Sequence, residues 1–581
     1  MLCSQVLKVN NLKNIPQYLK KYIVDQDYSQ YSYIDHACWR FIMRINKAYF
    51  SENAHSSYLE GIEKTGITIN RIPEIKDINK KLQKFGWSAI GVKGFLPPII
   101  FMEFQSRGIL PIACDMRSIE HLTYTPAPDI VHEAAGHSPM IADPDYAEYL
   151  KYYGQIARKA ISSSEDYNLY VAIRELSDTK ENPKSTELEI NNAQDNLKKA
   201  LKLISYTSEA AYLARINWWT VEYGLVGDIN NPKIYGAGLL SSIGESENCL
   251  KGNVKKIPLS IDCANFNYDI TEQQPQLFIS KDFKSLNKIL DDFSSKMAYK
   301  IGGLEGIEKA IESKSICSIS LNSGLQVSGK IDSVIDRNLS YVQLSGPVQI
   351  CYNNQEINGH GASRHPEGFG FPMGKLIGNI SLDKLNKNDF LKLENDIDNI
   401  IKLKFESGIS ISGVVKTIIE KDSKIKIITF TNCTVKNYDI ILFNPEWGEY
   451  DLICGQIVES VFGGPADIDS YFESKLDKKQ IDSLNKGVSL SNTNQELNEI
   501  YSEIRSIREE GSNDFSKLKK LSDMLSDKYL EDWLGKLEIY EIIYKEKLPW
   551  ENDIKDFLKL KSKGKSDFAK AIKNSLLLIK K

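Results

Sequence analysis

Two of the chain's seven histidines fall in the run Pro128-Asp129-Ile130-Val131-His132-Glu133-Ala134-Ala135-Gly136-His137-Ser138-Pro139. Imidazoles four residues apart on a helix are separated by about 40° and share one metal readily, as in the H-E-x-x-H of zinc proteases. Here the spacing is five, about 140° on an ideal helix. Both rings then meet one ion only if the helix ends between them, which Gly136 and Pro139 would allow. Such a pair occurs in cores and at helix ends as well as at metals, and a third ligand would decide the matter. Glu222 is a candidate, because it lies in the aromatic, apolar run Asn217-Trp-Trp-Thr-Val-Glu-Tyr-Gly-Leu. An unpaired carboxylate there costs several kcal/mol and calls for a cation, either a metal or a partner such as Arg215 or Lys233. Two histidines and one carboxylate on one face of an octahedral ion leave three positions open, the arrangement of non-haem Fe(II) enzymes that activate O₂. Two other readings use the same residues: a zinc hydrolase with Glu133 as base, and a structural or degenerate site in a binding or assembly protein. A second close pair, His360 and His365 in Gly359-His-Gly-Ala-Ser-Arg-His-Pro-Glu-Gly, reads first as a flexible loop. A second metal site or a lid is the sharper alternative.

The elements that must hold these groups show in the texture of the 581 residues, 42% hydrophobic and 26% charged, room for roughly two to four domains. From about 31 to 312 apolar residues recur at three- and four-residue spacing, interrupted by turns such as Gly94-Phe-Leu-Pro-Pro. Within this stretch the polar segment 164–208 reads as a solvated helical insertion. Between 315 and 462 the pattern becomes β-like, as in Ile316-Cys-Ser-Ile-Ser-Leu and Ile425-Lys-Ile-Ile-Thr-Phe-Thr. Two stretches, starting at Leu321 and at Phe405, match in their Ser-Gly pairs and apolar positions, a weak repeat. From about Asp467 the chain is charged and helical, with an apolar stripe through Leu497, Ile500, Ile504, Ile507, Leu518, Leu521, Leu525, Leu530, Trp533 and Leu537. The expected fold is multidomain α+β: a mainly α-helical catalytic domain at 1–312, a β-rich domain at 313–465 and a helical carboxyl-terminal region at 466–581. The terminal helices read as packing on a core of their own, with homo-oligomerisation as the alternative.

Composition excludes several roles. Lys plus Arg number 73 against 77 Asp plus Glu, a net charge of −4, with no block of one sign, so no nucleic-acid partner is expected. No apolar run reaches the length of a membrane span, and the start lacks the apolar core of a secretory signal. A cytoplasmic location follows as the expectation. Nine cysteines without a C-x-x-C pair read as reduced, mostly buried thiols.

Several separated motifs resemble the tetrahydropterin-dependent aromatic amino acid hydroxylases, most closely the phenylalanine 4-hydroxylases. They are Asp35-His-Ala-Cys-Trp-Arg, Arg71-Ile-Pro-Glu-Ile-Lys-Asp, Gly94-Phe-Leu-Pro-Pro, Tyr124-Thr-Pro-Ala-Pro-Asp, the His132/His137 run, Trp219-Thr-Val-Glu-Tyr-Gly-Leu and Tyr235-Gly-Ala-Gly-Leu-Leu-Ser-Ser-Ile-Gly-Glu. They stand in the family's order over about residues 30–300, and the joint pattern is far more specific than any one of them. The regulatory domain that usually precedes that core in the family is not expected here. Carried over by position, the resemblance implies that His132, His137 and Glu222 bind Fe(II), and that Glu133 faces the tetrahydropterin and guides oxygen activation. It implies that Phe101 stacks on the pterin, with Gly94 and Leu96 as backbone partners. Arg117 falls where the family binds the substrate carboxylate, which suits a planar guanidinium, and Asp129 would hold it. Thr125, Gly238 and Ser241 correspond to further substrate-side positions, Trp218 and Pro128 to walls of the aromatic pocket.

The resemblance implies ring hydroxylation of a free aromatic amino acid by O₂, with Fe(II) and a tetrahydropterin that supplies the electrons. Three positions depart from the pattern: Asn217 where Tyr is common, Tyr223 for the usual Phe after the glutamate, and Trp219 for a smaller aromatic. Ile279 aligns with a position that is apolar in phenylalanine enzymes and acidic in tyrosine enzymes, and Trp218 also resembles the non-tryptophan members. L-Phenylalanine to L-tyrosine is therefore the expected conversion.

Overall fold

The longest helix of the amino-terminal half, Tyr33–Asn53, starts where Ser32 and Asp35 close a reciprocal capping box, each satisfying a backbone N–H the helix cannot bond itself. Its inner face buries Trp39, Phe41, Ile42, Ile45 and Phe50. The computed structural model describes residues 12–13, 15–123, 127–182, 184–269, 273–393, 400–473 and 494–579. Around this helix gather Ser56–Thr65, Ile75–Leu82, Pro98–Ser106 and Pro144–Ala157. Two small sheets complete the first half. One runs in the order Ile23–Val24, Ser88–Val92, Ile109–Ala113, the other Asn231–Ile234, Leu225–Asp228, Gln276–Ser280, Lys255–Pro258. Ser88–Val92 and Ile109–Ala113 are parallel, joined by the crossover helix Pro98–Ser106, as parallel pairing requires.

The insertion is a pair of helices, Ser164–Glu181 and Glu187–Leu203, each opened by a capping box. Its second helix buries only Ala193 and Ala200, the polar surface expected of it. One contact runs the other way: the Tyr170 hydroxyl donates to the Phe95 carbonyl at 3.0 Å, tying the insertion to the Gly94-Phe-Leu-Pro turn.

The β-like stretch opens with the strand at Ile316 and forms two antiparallel sheets. The first contains Ile316–Leu321, Leu325–Ile335, Tyr341–Tyr352, Gln355–Glu356 and Gly368–Pro372, and the late strand Val458–Gly463 returns to pair with Ile316–Leu321. The second contains Ile400–Lys404, Ile409–Lys421, Lys424–Asn437, Ile440–Phe443 and Tyr450–Ile453. The sequence repeat is a repeated hairpin. In each copy a Ser-Gly turn with left-handed glycine, Gly324 at φ +84° and Gly408 at φ +91°, joins a short strand to a long one, a conformation any side chain would strain.

The terminal helices depart from expectation. Gln495–Glu510, Phe515–Lys528, Leu534–Ile543, Glu551–Lys561 and Asp567–Ile579 do not pack on a core of their own: Ile500, Ile504, Ile507, Leu518, Leu521, Leu525 and Leu537 join the same apolar cluster as Trp39, Phe41 and Ile42. Phe41 meets Trp533 edge-on at 5.0 Å, and Trp533 meets Phe568 likewise. Most of the stripe that suggested an oligomer interface is thus consumed inside the chain, and Leu530 stays exposed. A charged layer rims the contact: Arg40 reaches Glu538 at 2.8 Å and also pairs with Glu541, Arg44 pairs with Glu541, and Arg508 pairs with Glu538. Burial alone would raise the Glu538 carboxyl, but Arg508 and Arg40 outweigh it and hold the group below its ordinary range. Among the described residues no helix is long and apolar enough to cross a membrane, and eight cysteines are unbridged, seven of them buried.

Candidate metal centre

Five-residue spacing was expected to need a helix end between His132 and His137. The helix instead continues and widens. Over Val131–His137 it is a π-helix, in which the Ser138 N–H bonds the carbonyl of Glu133, five residues back, and it runs straight into Ser138–Met140. Wider turns bring residues five apart nearly onto one face, which is why such segments cluster at functional sites. Glu222 closes a second π-segment, Trp218–Glu222, where the Tyr223 N–H bonds the Trp218 carbonyl at 2.8 Å. Glycines let the third element in. A Cβ on Gly136 would stand 2.8 Å from the Ala237 carbonyl oxygen, and one on Gly236 would stand 2.4 Å from that of Glu222. The short helix Ala237–Ser241 is therefore pressed against both ligand-bearing segments.

The donor atoms converge. His132 Nε2 and His137 Nε2 lie 3.2 Å apart, His132 Nε2 is 3.3 Å from Glu222 Oε2, and His137 Nε2 is 3.4 Å from Glu222 Oε1. Neighbouring ligands of one octahedral ion at about 2.1 Å stand about 3 Å apart, so the three fit a single metal. The alternative partners of Glu222 are engaged elsewhere: Arg215 donates to the Ala264 carbonyl and Lys233 to that of Glu52. Burial pushes the Glu222 carboxyl up, yet His137 and His132 outweigh it and hold it well below the carboxylate range.

Ser241 sets the tautomer of His132. Its hydroxyl donates to the Ala237 carbonyl at 2.8 Å, so at 3.0 Å from His132 Nδ1 its oxygen is the acceptor. The proton then sits on Nδ1 and the Nε2 lone pair faces the centre, the usual role of a group behind a metal ligand. Ser241 also accepts, through its carbonyl, from Arg117 Nη1 at 3.0 Å. The rest of Arg117 is fixed by Asp129, which takes Nε at 2.7 Å, Nη2 at 2.7 Å and the Arg117 backbone N–H at 3.1 Å. Asp129 Oδ1 further accepts the His132 backbone N–H at 3.0 Å, so one carboxylate positions both the arginine and the first turn of the π-helix.

Glu133 is buried, its Oε2 has no hydrogen-bond partner, and it lies 3.9 Å from His137 Nε2. Burial pushes its carboxyl up to about 8. A buried carboxylate oxygen left unsatisfied beside a metal triad fits a polar cofactor or substrate better than an apolar filling. Phe101, half-buried, holds its ring 6.5 Å from that of His137. Gly94 has φ +64° and donates its N–H to Asp115 at 3.1 Å, and Leu96 packs on a neighbouring apolar cluster. Trp218 is stacked with Tyr268 at 4.3 Å and Tyr223 at 4.5 Å. Gly238 packs against the Glu222 carbonyl and the Tyr223 ring, where a Cβ would stand 3.0 Å from each. Pro128 is half-buried, one residue before Asp129. Ile279 is buried in the second small sheet, paired with Leu225 and Pro258. Thr125 lies outside the described residues. Sequence reasoning missed Asp115 and Tyr268; only the fold brings them to Gly94 and Trp218.

Residues 11–171 and 192–302 match the family model of the biopterin-dependent aromatic amino acid hydroxylases, and the amino-terminal half of this chain belongs to that family. It is an iron- and pterin-dependent aromatic amino acid monooxygenase. The relatives it resembles are phenylalanine-4-hydroxylases. That of Mesorhizobium japonicum is 28% identical over 269 residues, covering 46% of this chain and 81% of the relative; that of Pseudomonas aeruginosa is 27% identical over 278 residues, covering 48% and 89%. Among solved structures, phenylalanine hydroxylase from Chromobacterium violaceum with bound iron(III) and 7,8-dihydrobiopterin is 25% identical with a TM-score of 0.37, covering 50% of this chain and 92% of that one. The unmatched residues 172–191 fall within the helical insertion.

Proposed function

We propose that this chain converts free L-phenylalanine to L-tyrosine. The observation that carries the reading is the convergence of His132 Nε2, His137 Nε2 and Glu222 within 3.2–3.4 Å beside a buried Arg117, inside a domain of the hydroxylase family. His132, His137 and Glu222 would hold Fe(II), and Ser241 keeps the proton of His132 on Nδ1, away from the metal. When bound, the ferrous ion and the tetrahydropterin activate O₂ and supply the electrons.

The chain's own residues bind and orient. Arg117 has five N–H donors, three of which are engaged by Asp129 and Ser241, and the remaining pair would take the amino acid's carboxylate. Asp129 holds that guanidinium rigid, so little ordering is left for the moment of binding. Trp218 and Pro128 would wall the ring pocket, with Thr125 and Gly238 on the substrate side. Phe101 would stack on the pterin, Gly94 and Leu96 would meet it through backbone atoms, and Glu133 would face it with the oxygen that lacks a protein partner. Ile279, apolar and buried, supports a ring without a hydroxyl. Residues 313–465 are proposed as a β-rich domain beside a catalytic domain at 1–312, and 466–581 as a helical region that shares the core of that catalytic domain.

The test is an assay with ferrous iron, tetrahydropterin and each aromatic amino acid in turn, with products read by mass. Tyrosine forming from phenylalanine only when iron and pterin are both present is the expected result. Hydroxylation of tryptophan or tyrosine without conversion of phenylalanine would overturn the substrate assignment.

A further inference from the structure

Among the described residues a second cluster brings together two imidazoles and one carboxylate: His360, His365 and Asp451. It lies among the strands, outside the hydroxylase domain, and the proposed reaction does not use it. His360 Nδ1 and His365 Nε2 each stand 3.3 Å from the same oxygen, Asp451 Oδ2, and the three ligand atoms all lie within 4.8 Å of one another. Both nitrogens are buried, and neither makes a hydrogen bond. Two buried ring nitrogens that stand 3.3 Å from one carboxylate oxygen without a hydrogen bond to it are placed where one cation can be shared among the three. Leaving them unsatisfied in a buried site is costly.

The glycine-rich stretch around them is not a loose loop. The His360 N–H bonds the Ile357 carbonyl at 2.8 Å, and the carbonyls of His360 and His365 accept from Ile350 and Val348 at 2.9 and 3.0 Å. Both histidines are thereby fixed to the strand Tyr341–Tyr352. His365 packs its ring on Phe369 at 4.6 Å. Asp451 belongs to the other sheet, on Tyr450–Ile453 opposite Thr429, whose hydroxyl donates to Oδ1 at 2.6 Å. Arg364 also reaches the carboxylate, Nε to Oδ2 at 3.1 Å and Nη2 to Oδ1 at 3.4 Å, and its Nη2 donates to Glu449 at 2.9 Å. An ionised carboxylate oxygen accepts more than one bond, so Arg364 orients Asp451 and leaves Oδ2 a further lone pair.

We propose that His360, His365 and Asp451 bind a divalent transition-metal ion of the zinc class, which fastens the 357–366 segment of one sheet to the strand Tyr450–Ile453 of the other. Two neutral imidazoles and a carboxylate are ligands of that class, and Arg364 and Thr429 supply the hydrogen bonds behind the carboxylate that such sites require. Because the ligands come from two sheets, the bound ion stabilises the folded chain.

The experiment uses the full-length chain with the iron ligands removed, His132→Ala together with His137→Ala, so that its result is independent of the hydroxylase reading. After chelator treatment this chain is titrated with Co²⁺ and, in parallel, Zn²⁺. Expected are one equivalent bound per chain, cobalt ligand-field bands in the visible, and a melting temperature that rises with either metal. Adding His365→Ala or Asp451→Asn should abolish all three while circular dichroism shows a folded chain. The more conservative His360→Gln serves if His365→Ala does not fold. Less than about a tenth of an equivalent bound by the parent chain, or binding that survives both ligand substitutions, would overturn the proposal and leave a histidine pair beside an Arg–Asp ion pair.

Discussion

Ser241 links the two functions of the centre, since its side chain fixes the His132 tautomer and its carbonyl holds Arg117. Removing the hydroxyl leaves the carbonyl in place. Ser241→Ala should therefore weaken iron binding by about 10- to 100-fold with little change in the KM for the amino acid, as measured by ferrous titration and steady-state kinetics. Arg117→Lys should behave in the opposite way. It keeps the charge but loses the planar fork, so KM should rise by roughly 10- to 1000-fold, a loss of about 1.4–4 kcal/mol, while iron content stays at the parent level. A drop in iron with unchanged KM would count against that role. The three proposed iron ligands could be picked out of the sequence because each has a chemical reason to be there and a motif around it. Asp451 could not: it stands 86 residues beyond His365, in a strand whose pattern carries no sign of a metal, and only sheet pairing brings it to the histidines.

At the scale of elements, helix content was legible and helix type was not. Three- and four-residue spacing predicts that the backbone coils around His132, but the choice between a broken helix and a π-helix rests on which segment packs alongside. Gly136 and Gly236 decide it by letting Ala237–Ser241 approach to contact. The docking of the terminal helices was equally invisible, because Arg40 and Glu538 are about 500 residues apart and an apolar stripe does not name its partner. That interface has a pH signature. With Glu538 held below its ordinary value, the ionised group stabilises the fold above about pH 4.5, and the contribution is lost as pH falls through the depressed native value. Glu538→Gln leaves Arg508 and Arg40 without their buried counter-charge and should cost about 3–5 kcal/mol at pH 7. The difference from the parent should shrink on acidification, as urea melts at pH 7 and pH 4 would show.

For the molecule as a whole, the mixture of helix and sheet was legible from texture, whereas the sharing of one core between the first helices and the last was not. A chain ending at Ile311 tests that sharing. It keeps every proposed iron ligand but bares the face of Tyr33–Asn53 that Trp533 and the helices Gln495–Glu510, Leu534–Ile543 and Asp567–Ile579 cover, and exposed apolar area of this kind destabilises and aggregates. Its melting temperature should fall well below that of the full chain, with aggregation on heating. Equal melting of the two would show the terminal helices to be dispensable to the first half.

Sharing that core also orders events in time. The ribosome delivers Trp39 and Phe41 early but their packing partners at the very end, after the whole β-rich region has emerged. At about 5–20 residues per second, the wait from Met297 to Ile579 lasts roughly 15–60 s. During that interval the nascent hydroxylase domain presents an unfinished apolar flank, and a stall in translation beyond Glu222 leaves the proposed centre in a domain without its last wall.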